Sequence, residues 1–83
     1  MNKVLVNIYV PILNVAYDVF VPVQLQLFEV IGLVKKAIAD LSEGRFIPSE
    51  ETTLAFRSNG SILNVNRTVY ELNIGNGTKL LLI

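Results

Sequence analysis

Two stretches with a side-chain period of two, each closed by a proline, precede a stretch whose period lengthens to between three and four. That switch constrains the fold most. Val4, Val6, Ile8 and Val10 fall on one face of an extended segment, with Lys3, Leu5, Asn7 and Tyr9 on the other. Pro11 ends the ladder because it has no N–H to donate. After a turn around Asn14, the residues Val15, Tyr17, Val19 and Val21 alternate with Ala16, Asp18 and Phe20, and Pro22 closes the second run. Neighbouring runs joined by so short a loop predict an antiparallel hairpin. Leu27, Val30 or Ile31, Val34, Ile38 and Leu41 then recur at helical steps, while Lys35, Lys36 and Asp40 fall mostly away from that stripe. The spacing predicts a helix of about fifteen residues, stopped near Gly44 and lying across the hairpin.

The second half is punctuated more densely. Residues 44–53 are polar, with Pro48 and the pair Glu50-Glu51, and read as a connector. Leu54 and Phe56 alternate with Ala55 and Arg57 as a short strand, followed by the turn signal Asn59-Gly60 and a brief return at Ser61-Ile62-Leu63. Thr68 and Glu71 have the spacing of a capping box, which predicts a single helical turn. Asn76-Gly77 marks another turn, and Thr78 to Ile83 reads as a last, largely buried strand. The helix stripe is expected to pack on Val4, Val6, Ile8, Val19, Val21, Leu54, Phe56, Leu80 and Leu82.

With 83 residues, one domain spanning 1–83 is expected, able to bury roughly 60% of its surface. Hydrophobic residues at 52% against charged ones at 17% exclude disorder. Seven basic and seven acidic side chains cancel, so the basic excess that supports nucleic-acid binding is missing. Asn7, Pro11, Asn14 and Asp18 interrupt the N-terminal apolar stretch, and no small-residue cleavage site follows. The longest run without a polar residue, Ile8 to Leu13, is far below the roughly 20 needed to span a bilayer. A cytoplasmic chain without direct membrane insertion is the expectation.

The chemistry available is narrow. Cysteine and histidine are both absent, which removes thiolate chemistry, the usual general base near neutral pH and the commonest metal ligand. Among the carboxylates only Glu50-Glu51 are adjacent, in a polar loop that solvates them. Ser42, Ser49, Ser58 and Ser61 lack a histidine to activate them, and the glycines match no phosphate-binding loop. No catalytic, cofactor-binding or metal-ligating residue is expected. What remains is surface: Leu5 and Tyr9 on the outer face of the first strand, Lys79, Leu81 and Ile83 on that of the last, and Arg57 beside them. These six form the candidate protein-interaction face.

The element order is that of an α+β, β-grasp chain, with a mixed four- to five-stranded sheet and one main helix. Within it, Leu54-Ala55-Phe56-Arg57, Ile62-Leu63, Thr68 to Ile74 ("TVYELNI") and Thr78 to Ile83 resemble the ubiquitin-like pattern. A modifier or sulfur carrier of that family requires a terminal Gly-Gly, whereas the sequence reaches Ile83 inside its last strand; conjugation and sulfur transfer are therefore not expected. Among ubiquitin-like proteins without such a tail, the chain resembles the YukD/EsaB family associated with type VII (WXG100) secretion, through the cadence G-x-I-L-x-x-N-x-T-V-x-E-L-x-I-x-N-G over residues 60–77. That resemblance implies a non-catalytic accessory or regulatory component, recruited to the inner face of the membrane by the cytosolic parts of a secretion machine. The alternatives are another stand-alone ubiquitin-like adaptor or a homo-oligomeric scaffold.

Overall fold

The computed structural model describes residues 2–83. Strands β1 (Lys3–Val10) and β2 (Val15–Pro22) are followed by helix α1 (Leu27–Leu41), then by strands β3 (Leu54–Phe56) and β4 (Lys79–Leu82). The four strands form one sheet in the order β2-β1-β4-β3. β1 and β2 pair antiparallel from Lys3↔Pro22 to Val10↔Val15, as the two alternating runs predict. β1 pairs parallel with β4 on its other side, Ile8 opposite Leu80, and β3 closes the sheet antiparallel to β4. The α1–β3 segment supplies the crossover that a parallel pair requires.

The helix buries Leu27, Val30, Ile31, Val34 and Ile38 on one face of the sheet. Opposite them lie Val6, Ile8, Val21, Leu54, Leu80 and Leu82, all buried, with Val4, Val19 and Phe56 packed at the margin. Each fully buried aliphatic side chain stabilises the fold by about 1.5–3 kcal/mol relative to exposure. The stripe ends one turn early, however. Leu41 is 55% exposed. Phe46 fills the end of the core in its place. Its N–H donates to the buried Ser42 Oγ at 3.0 Å, and the Ser42 hydroxyl donates to the Ala39 carbonyl. The connector is thus polar in composition but anchored by one aromatic side chain.

Backbone geometry explains how α1 starts and stops. Gln26 precedes the helix without a side-chain cap. The first N–H groups are satisfied instead by carbonyls from far along the chain: Leu27 donates to Arg67 O at 2.8 Å and Phe28 to Val65 O at 3.1 Å. Val69 and Tyr70 N–H in turn bond Leu25 O and Val23 O, so residues 23–28 and 65–70 brace one another. At the other end, Gly44 N–H reaches Ala39 O and Glu43 N–H reaches Asp40 O. This is the paired bonding that ends a helix with a left-handed residue. That residue is Glu43 (φ 56°), one position before the glycine marked as the stop.

The remaining turns follow their signals with small departures. At Asn59-Gly60 only Gly60 takes a positive φ, of 74°, while the Asn59 side chain accepts the Ser61 N–H. The return after it is a single bridge, Ala55↔Ile62, so the sheet has four strands, within the four to five expected. The capping box forms as its spacing predicts. Thr68 N–H donates to Glu71 Oε1 at 2.9 Å, and Glu71 N–H donates to Thr68 Oγ1 at 3.0 Å. The last strand is registered as Lys79–Leu82, but Thr53 and Ile83 exchange two backbone hydrogen bonds just beyond it.

Candidate interaction face

Alternation along β1 turns Leu5, Asn7 and Tyr9 away from the helix, while register carries the same face across the sheet. Leu81 stands beside Tyr9, Lys79 beside Asn7, and Ala55 beside Leu81. Arg57 continues the line past β3, its N–H bonding the Lys79 carbonyl at 3.1 Å. Five of the six predicted residues, Leu5, Tyr9, Arg57, Lys79 and Leu81, therefore share one surface. Ile83, 50% exposed, extends it past the end of β4 beside Thr53.

The face is organised as rows. Leu81, Tyr9 and Ala16 form an apolar row, ending at the buried Ala55, and Leu5 with Phe20 forms a second. Between them runs a polar row of Lys79, Asn7 and Asp18, with Arg57 at its end. Asn7 Nδ2 donates to Asp18 Oδ1 at 3.0 Å, which occupies the one carboxylate of the row. The Arg57 guanidinium lies over the Tyr9 ring, 4.5 Å from its centroid, and donates to Asn7 Oδ1 at 3.4 Å. Tyr9 is held in turn by a hydrogen bond from its hydroxyl to Asn14 Oδ1. The Gly75–Gly77 turn docks against the same edge, Asn76 Oδ1 accepting the Leu5 N–H at 2.8 Å.

Phe20 is the residue that sequence reasoning left out of the face. It is 64% exposed and pairs with Leu5. Its place opposite Val19 and Val21 was readable from the alternation of β2, and the hairpin register then puts it beside Leu5.

No group of His, Cys, Asp or Glu side chains among the described residues could hold a metal ion. No helix among them is long and apolar enough to cross a membrane. The titratable group with a resolved perturbation, Glu71, belongs to the capping box and not to this face.

No protein-family model and no curated protein matches the sequence. Solved structures do. The ubiquitin-like domain of the Mycobacterium tuberculosis type VII secretion system protein ECCD1 aligns over 100% of this chain and 99% of its own, with a TM-score of 0.81 at 15% identity. The fold is ubiquitin-like. The EccD5 ubiquitin-like domain from Mycobacterium xenopi covers 100% of the chain and 94% of its own, with a TM-score of 0.70 and 17% identity. Ubiquitin of Caldiarchaeum subterraneum covers 99% and 92%, with a TM-score of 0.69 and 18% identity. In this ubiquitin-like chain, the sheet face opposite the helix carries the rows described above.

Proposed function

We propose that this protein is a non-catalytic accessory component of a type VII (WXG100) secretion system, working in the cytoplasm by protein–protein contact through the outer face of its sheet. The observation that carries the reading is that face: two apolar rows left uncovered by the helix, with a guanidinium held in place between them. Exposed apolar surface organised in this way suits a docking site. The direction toward secretion comes from fold neighbours that are domains of type VII secretion proteins and from the YukD/EsaB-like cadence over residues 60–77.

The test is genetic. Deleting the gene is expected to reduce export of WXG100-type substrates, with restoration by the wild-type copy. Export unchanged by the deletion overturns the reading.

A further inference from the structure

Two cations of the outer face, Arg57 and Lys79, line one cavity. Arg57, Ser58, Thr78 and Lys79, backed by Phe56, line an open cavity of about 490 Å³ at the end of the β3–β4 pair. Among the described residues neither Arg57 nor Lys79 is ion-paired; the one salt bridge there joins Arg67 and Glu71 on a different surface. The nearest carboxylate of the face, Asp18, lies two strands from β4 and accepts from Asn7. The Thr78 hydroxyl accepts the Gly75 N–H, which leaves its own hydrogen free to donate.

A cavity edged by two unpaired cations and two hydroxyls is complementary to a carboxylate, and a guanidinium already stacked and hydrogen-bonded loses little freedom on binding one. The apolar rows of the same face, Leu5 with Phe20 and Tyr9 with Leu81, add a requirement for apolar neighbours. We infer that the cavity between Arg57 and Lys79 receives an acidic side chain of a partner protein, carried on a segment whose flanking residues are apolar. The inference rests on the outer face being the docking surface and names what that surface recognises. It does not depend on the partner being a secretion protein.

Two arms test it. In the first, the isotope-labelled protein is titrated with blocked hexapeptides alternating Leu with Glu, with Gln or with Lys. The Glu peptide is expected to shift the backbone amides of Arg57, Ser58, Thr78 and Lys79, and the R57E/K79E variant to bind it about tenfold more weakly. A thermal melt of that variant confirms that it is folded. Absence of those shifts, or equal shifts with the Gln peptide, overturns the inference. In the second arm, the deletion strain is complemented with R57E/K79E or with Phe20→Ser. Loss of export with both supports the inference. Rescue by R57E/K79E but not by Phe20→Ser overturns acidic recognition and leaves the docking face standing. Rescue by both removes the docking face itself.

Discussion

The Arg57 guanidinium carbon lies 4.5 Å from the centroid of the Tyr9 ring, so a residue at the end of β3 reaches across β4 to β1. Both side chains are solvent-facing, and the contact spans strands with no sequence proximity. A double-mutant cycle of Arg57→Ala and Tyr9→Ala is expected to give a coupling of about 0.5–1 kcal/mol in urea denaturation, the range for a solvent-exposed cation–π pair. Additive single effects would show that the stacking contributes nothing.

The reciprocal capping of Thr68 and Glu71 gives a stability that depends on pH. The Thr68 backbone N–H is the main reason that the Glu71 carboxyl titrates below its ordinary 4.5. Desolvation opposes this, while the Thr68 side chain and, least, the Arg67 guanidinium act in the same direction as the N–H. A carboxyl whose folded value is lowered stabilises the fold above its unfolded value, and the contribution disappears as pH falls through the folded one. Wild type is therefore expected to melt above Glu71→Gln at pH 7, and the gap should close below about pH 4. Thr68→Ala, which removes the forward bond, is expected to cost about 1 kcal/mol in denaturant titrations at pH 7.

Glu43 occupies a left-handed conformation, φ 56°, that glycine adopts without steric cost. Glu43→Gly is expected to stabilise the protein by about 0.5–1 kcal/mol, raising Tm by roughly 2–8 °C. A lower Tm would mean that the Glu43 side chain makes a compensating contact.

Leu80 is buried at the centre of the sheet, paired with Ile8 on one side and Phe56 on the other. Leu80→Ala is expected to cost about 2–5 kcal/mol. Leu80→Asp places an unpaired carboxylate there and is expected to abolish the cooperative thermal transition seen by circular dichroism. A normal melt of the Asp variant contradicts the core placement.

The parts of the fold that were legible are those where local pattern and burial agree. Val4 to Val10 and Val15 to Val21 alternate because one face of the hairpin meets the helix and the other does not, and Leu27 to Ile38 keep a helical period for the same reason. The same alternation placed Leu5, Tyr9, Lys79 and Leu81 on the outer face. Phe46 was not legible: a single aromatic between Arg45 and Ile47 has no period, and only the fold-back after Glu43 brings it to the core. Leu41 misled because it keeps the spacing of the stripe and yet is exposed, while Phe46 joins the core. The stacking of Arg57 on Tyr9 depends on which strands are neighbours, and no local pattern encodes the parallel pairing of β1 with β4.

That parallel pairing has a consequence for biosynthesis. The Leu5 N–H bonds the Asn76 side chain 71 positions away, and β4 follows only after that turn. At about 5–20 residues per second, a ribosome delivers the hairpin and helix several seconds before their closing strand. During that interval Val6, Ile8 and Val34 have no β4 to cover them. Synthesis of β4, rather than formation of any earlier element, is the event that closes the sheet.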